Sequence, residues 1–125
     1  MTQALIIDND ASSIEVLQRL LVAQNVECTT ILNPSQLEII RENSHKADVI
    51  FLDLEMPHIN GFEVFKVLHS EIGSTVPIVA YTVHTSEINM VRDLGFHSFL
   101  GKPLEAARFP DQLAQILSGK SVWEP

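Results

Sequence analysis

The sequence predicts an α/β fold, a doubly wound parallel sheet of five strands with helices on both faces. Three observations lead there. Short apolar runs rich in Ile and Val alternate with longer stretches of helical period, the pattern of βα units wound around a parallel sheet. The first, third and fourth runs are continuously apolar, as central strands covered on both faces must be. With 125 residues and 46% hydrophobic content, the chain suits one domain with one core.

The strands are read as "ALII" (Ala4 to Ile7), "CTTIL" (Cys28 to Leu32), "VIFLD" (Val49 to Asp53), "PIVAYT" (Pro77 to Thr82) and "SFL" (Ser98 to Leu100). The first helix is expected from about Ser12 to Gln24, with Ile14, Leu17, Leu20 and Leu21 in one stripe and Ser12 or Ser13 as N-cap. A second follows "NPS", with Pro34 in its first turn and Leu37 and Ile40 inward. The third begins after Gly61 and turns Phe62, Phe65 and Leu68 to the core. A short, weakly apolar fourth covers about Ser86 to Leu94 and stops at Gly95. The fifth restarts at Pro110 and buries Leu113, Ile116 and Leu117. The tail "SGKSVWEP" lacks helical periodicity, so residues 1–120 are read as the domain and 121–125 as a frayed end or linker stub.

Composition removes several function classes. The formal charge of -8, with only eight Lys and Arg, argues against direct nucleic-acid binding, which depends on clustered cations. No window approaches the ~20 apolar residues of a membrane span, and a soluble, cytoplasmic protein is expected. Cys28 is the lone cysteine and reads as a small apolar filler. The five histidines are dispersed without zinc spacing and read mostly as solvated.

Right-handed crossovers put the polar site of such a sheet beyond the carboxyl ends of its strands. That is where the unusual residues fall. Asp8, Asn9 and Asp10 follow the first strand, Asp53 ends the third, Thr82 ends the fourth and Lys102 follows the fifth. Acidic groups from neighbouring strand ends repel one another unless a cation lies among them, and oxygen donors of this kind suit Mg2+. Lys102 and Thr82 frame the opposite side, where an ammonium and a hydroxyl can hold phosphoryl oxygens.

With "IIDND", "FLDLEMPHINGFEV", "PIVAYT" and "FLGKPLE" in register, the chain resembles a response regulator receiver domain of the CheY type from about Ala4 to Leu117. The resemblance implies a flavodoxin-like three-layer sandwich with strand order 2-1-3-4-5. It makes Asp53 the phosphoacceptor, and it gives Asp8, Asn9, Asp53 and the backbone carbonyl of Glu55 as ligands of Mg2+. Thr82 and Lys102 would receive the phosphoryl group, and Thr82 and Phe99 would form the switch. Phe99 is equally readable as a core aromatic, lacking the hydroxyl of the commoner tyrosine. Val83 and His84 follow Thr82 and are expected to modulate the pocket. Pro57 and Gly61 shape the loop after Asp53, and the Lys102–Pro103 peptide is similar to one that is cis in the family.

The implied function is a signalling switch in a phosphorelay, not an enzyme beyond assisting its own phosphorylation and dephosphorylation. Its partners would be a sensor histidine kinase or histidine phosphotransfer protein and a downstream protein target. Output would run through the face of the fourth helix, fifth strand and fifth helix, which also offers a homodimer surface. The alternative is a receiver-like interaction module that works without phosphorylation. Asn9 is the one departure that points to it, since the family usually carries a second aspartate there.

Overall fold

The computed structural model describes residues 1–32, 37–57, 59–73 and 75–125; Pro34, His58 and the side chain of Leu37 lie outside what is described. The strands are β1 (Gln3–Ile7), β2 (Glu27–Ile31), β3 (Val49–Asp53), β4 (Glu55–Met56), β5 (Ile59–Asn60), β6 (Ile78–Thr82), β7 (Ser98–Gly101) and β8 (Trp123–Glu124). β4 and β5 form a small antiparallel hairpin. The others make one sheet in the order β2-β1-β3-β6-β7-β8, with every pair parallel. The expected order 2-1-3-4-5 is therefore present, with a sixth strand added at its edge.

Alternation along the strands divides the core into two layers. Leu5, Ile7, Ile50, Leu52, Ala80 and Phe99 face one side, with Ile40, Phe65, Leu68 and Val91 packed on them. Ala4, Ile6, Val49, Phe51, Val79, Tyr81 and Leu100 face the other, under Ile14, Leu17, Leu21, Phe109, Leu113 and Ile116. The helices supplying those layers are α1 (Ala11–Val22), α2 (Leu37–Ser44), α3 (Gly61–Ile72), α4 (Ile88–Leu94) and α5 (Phe109–Leu117). Cys28 packs half-buried against the second layer, where burial pushes its thiol pKa up.

Local chemistry moves several boundaries from those read in the sequence. α1 is capped by Asp10, not by Ser12 or Ser13: the Asp10 carboxylate accepts the Ser12 N–H at 3.1 Å and the Ser13 hydroxyl at 3.0 Å. An ionised cap is the stronger acceptor for a helix N-terminus. α3 begins at Gly61 itself, one residue before the expected start, behind an Asn60 cap that accepts the Phe62 N–H at 2.8 Å. A Cβ on Gly61 would sit 2.7 Å from the Leu54 Cα, so backbone approach requires the glycine. Phe62 is only half-buried and meets the edge of Phe96. α4 follows a single 3-10 turn, Thr85–Glu87, and ends at Gly95 with φ 101°. Leu117 is 40% exposed, because the inward stripe of α5 runs through Phe109, Gln112, Leu113 and Ile116 and leaves it off phase.

The tail departs most from expectation. Trp123 and Glu124 pair in parallel with Phe99 and Leu100. The Phe99 N–H donates to the Val122 carbonyl at 2.7 Å, and the Val122 N–H donates to Ser98 Oγ at 3.0 Å. Val122 is buried, the Arg92 guanidinium of α4 lies 4.8 Å over the Trp123 ring, and Arg108 pairs with Glu124. This segment thus covers the sheet edge between α4 and α5.

Candidate functional site

The site is assembled from the carboxyl ends of β1, β3, β6 and β7. Asp8 follows β1 and is fully buried, tied to β2 by its N–H donating to the Ile31 carbonyl at 3.2 Å. Asp53 is the last residue of β3 and is 4% exposed. Lys102 follows β7, its N–H donating to the Thr82 carbonyl at 2.9 Å and its peptide to Pro103 being cis. The Lys102 ammonium then lies 3.1 Å from Asp8 Oδ2 and 3.5 Å from Asp53 Oδ2. It also donates to Ser13 Oγ at 3.3 Å.

The remaining oxygens are held by backbone. Asp8 Oδ1 accepts the Asp10 N–H at 2.9 Å, and Asp53 Oδ1 accepts the Glu55 N–H at 3.0 Å. Burial pushes the Asp53 carboxyl up to about 7, with Asp8 adding to the rise, against the opposing Glu55 N–H and Lys102 charge. Among the described residues one cation thus serves two buried carboxylates, which leaves the pair short of positive charge. Asp10, at the surface, is held low by the Ser13 hydroxyl and the Ser12 N–H.

The structure brings together only part of the residue set read from the sequence. Asp8, Asp53 and Lys102 converge. Asn9 is half-buried beside Asp8, and Glu55 meets Asp53 through its backbone. Thr82 is fully buried, but its hydroxyl accepts the His84 N–H at 3.2 Å and makes no hydrogen bond to Asp53 among the described residues. Phe99 lies wholly inside the α2, α3 and α4 layer. The His84 ring pairs with the Glu55 carboxylate at 2.5 Å, both half-exposed at the rim, and Val83 is 59% exposed.

Two functional contacts escaped the sequence reading. Tyr81, 1% exposed, donates its phenol O–H to Asp8 Oδ2 at 2.5 Å, and its ring carries the Lys102 ammonium 4.4 Å from the centroid. Burial and the Asp8 charge push its phenol pKa strongly up. The available signal was a hydroxyl-bearing aromatic at the end of an otherwise apolar strand. Ser13, read as a helix cap, instead reaches Lys102 from α1. A cleft of about 300 Å³, walled mainly by Val16, Tyr81, Val83, Pro103 and Leu104, opens beside this cluster.

A buried carboxylate with a cation at its free oxygen is arranged to accept an anionic electrophile. Among the described residues no three His, Cys, Asp or Glu side chains form a metal cluster. The donors available at the strand ends are two carboxylates, an amide and backbone oxygens, a hard-oxygen set.

The sequence profile of the response regulator receiver domain matches residues 4–114. The chain belongs to this family. Among curated relatives, the receiver is 31% identical to the sensory transduction protein RegX3 of Mycolicibacterium smegmatis, over 94% of this chain and 51% of that protein. It is 34% identical to the DNA-binding response regulator MtrA of Mycobacterium leprae, over 81% of this chain and 44% of that protein. The osmosensing histidine protein kinase SLN1 of Saccharomyces cerevisiae matches at 26% over 90% of this chain and 10% of its own length. The chain therefore spans about half or less of these relatives. A two-component response regulator from Clostridium difficile superposes with TM-score 0.80 at 26% identity, covering 94% of this chain and 97% of that one. A receiver domain protein from Clostridium thermocellum shares the fold, with TM-score 0.82 at 21% identity over 94% and 95% of the two chains. The chain is thus a signalling domain of the two-component type, and none of its described helices is long and apolar enough to cross a membrane.

Proposed function

We propose that this receiver is phosphorylated on Asp53 by a histidine kinase or phosphotransfer protein, as the input step of a two-component relay in the cytoplasm. The observation that carries the reading is the convergence of Asp8, Asp53 and Lys102, with the Lys102 ammonium 3.5 Å from an Asp53 oxygen. In the reaction, an Asp53 oxygen attacks the phosphorus of a phosphohistidine and an O–P bond forms. The N–P bond breaks, its electron pair returns to the imidazole, and Asp53 becomes an acyl phosphate. Lys102 neutralises the incoming oxygens, and Thr82 donates its hydroxyl to them after leaving the His84 N–H.

Asp8, Asn9, the Asp53 carboxylate and the Glu55 carbonyl fit Mg2+, because among the described residues the two buried carboxylates have one ammonium between them and the donors are all oxygens. Magnesium, when bound, supplies the positive charge that the phosphoryl oxygens and carboxylates lack. The apolar cleft beside Lys102 gives the donor protein a surface next to the acceptor. Rearrangement of Thr82 and of Phe99, which is already buried in the layer beneath α4, would alter the face made by α4, β7 and α5, which meets a downstream protein or a second copy. Val83 and the His84–Glu55 pair at the rim modulate water access to the acyl phosphate.

The test is incubation with a small phosphodonor and Mg2+, read by intact mass, for the natural protein and Asp53→Asn. A single phosphoryl gain lost in the variant is expected. Labelling that persists in Asp53→Asn removes Asp53 as acceptor. Absence of labelling under donor and Mg2+ excess favours the phosphorylation-independent module to which Asn9 points.

A further inference from the structure

The geometry points to Tyr81 as a positioning residue whose hydroxyl latches onto Asp8 Oδ2, holding Asp8 back from Mg2+ while leaving Lys102 within reach of Asp53. The inference rests on the Mg2+-dependent reading above. Its basis is an inventory of the lone pairs on Asp8. An ionised carboxylate offers two acceptor sites on each oxygen. Oδ2 takes the Tyr81 phenol at 2.5 Å and the Lys102 ammonium at 3.1 Å, which fills it. Oδ1 takes the Asp10 N–H at 2.9 Å and retains one site. An incoming cation therefore meets an Asp8 whose Oδ2 is closed by a buried, charge-assisted hydrogen bond, the stronger class of such bonds.

The same ring steers Lys102. Its ammonium rests 4.4 Å from the centroid of Tyr81 and is nearer to Asp8 than to Asp53, 3.1 Å against 3.5 Å. Tyr81 shares the charge of Asp8 Oδ2 with Lys102, so the phenol weakens the pull of Asp8 on the lysine and leaves it within reach of Asp53. Tyr81 can do this because it alternates onto the α1 and α5 face of β6 and is the register partner of Asp53. Thr82, on the opposite parity, cannot take the place.

Removing the hydroxyl should consequently have two effects of opposite sign. In Tyr81→Phe the ring stays, Oδ2 regains an empty buried acceptor site, and a cation relieves that deficit. Mg2+ should bind about three- to tenfold more tightly. The lysine, meanwhile, is drawn further toward Asp8, so phosphorylation of Asp53 at saturating Mg2+ should slow several-fold. A merely structural tyrosine would loosen the site and move both in the unfavourable direction.

The experiment measures Mg2+ affinity by calorimetry and the single-turnover labelling rate from a small phosphodonor, for the natural chain and Tyr81→Phe. If that variant does not fold, Tyr81→Met replaces it for the Mg2+ affinity alone, because it lacks the ring over which Lys102 rests as well as the hydroxyl. Tighter Mg2+ with slower labelling supports the latch. Unchanged or weaker Mg2+ affinity in the variant, with the natural chain binding and labelling normally, overturns the latch and leaves the receiver reading standing. No Mg2+ binding and no labelling by either chain overturns both.

Discussion

Replacing Asp53 with asparagine should stabilise the metal-free protein, and by an amount that depends on pH. The carboxyl ordinarily titrates at 3.8 and is pushed up to about 7 in the fold, chiefly by burial. A group whose folded pKa is raised binds its proton more tightly when native. Its contribution to stability is complete below about pH 4 and is lost as pH rises through about 7. The gap between 3.8 and about 7, at ~1.36 kcal/mol per pH unit, corresponds to about 4 kcal/mol of destabilisation once the group is ionised. The higher effective dielectric of a responsive protein interior reduces the realised figure to about 1–3 kcal/mol. Asparagine keeps an oxygen for the Glu55 N–H, which Asp53 Oδ1 accepts at 3.0 Å, and carries no charge to desolvate. Urea melts of both proteins from pH 5 to 9, without Mg2+, should show the midpoints diverging up to about pH 7 and then running parallel. The variant should lead by roughly 1 M urea at pH 8. Adding Mg2+ should narrow the lead, since at ten times its Kd a ligand of the native state adds about 1.4 kcal/mol. A difference that is flat across this range, or a variant less stable than the natural protein at pH 8, would refute the reasoning.

Three further outcomes are expected. Asn9→Asp should bind Mg2+ more tightly by calorimetry and melt at lower temperature without it, because a third carboxylate joins Asp8 and Asp53 around one ammonium; equal affinities would show that residue 9 is no ligand. Amide exchange on phosphorylation should change most between about Ser86 and Lys102, where α4 buries only Val91, and a change confined to α1 and α2 would contradict this. Gly101→Ala should dislodge the tail, because its Cβ would lie 2.4 Å from the Pro125 carbonyl carbon; Trp123 is the sole tryptophan, and a red-shifted, quencher-accessible emission reports the release, whereas an unchanged spectrum excludes it.

The strands and helices of this receiver were legible because each is written locally. "VIFLD" is apolar throughout and coincides with β3, buried at every position, and Gly95 stops α4 by its left-handed φ. The acidic and basic members of the site were legible too, because a carboxylate ending an apolar strand has no packing explanation. What the sequence left open was settled by close local competition at one helix end and otherwise by groups far apart in the chain. The cap of α1 passed to Asp10 through competition among three neighbouring acceptors and donors. The tail strand has two residues and no periodicity to betray it; it forms because β7 offers an unpaired N–H at Phe99 and a seryl oxygen at Ser98. Tyr81 is the sharpest case. Alternation alone assigns it to a buried face, yet only the parallel register of β3 and β6 carries its hydroxyl to Asp8, 73 positions away, where a fully buried carboxylate requires a donor.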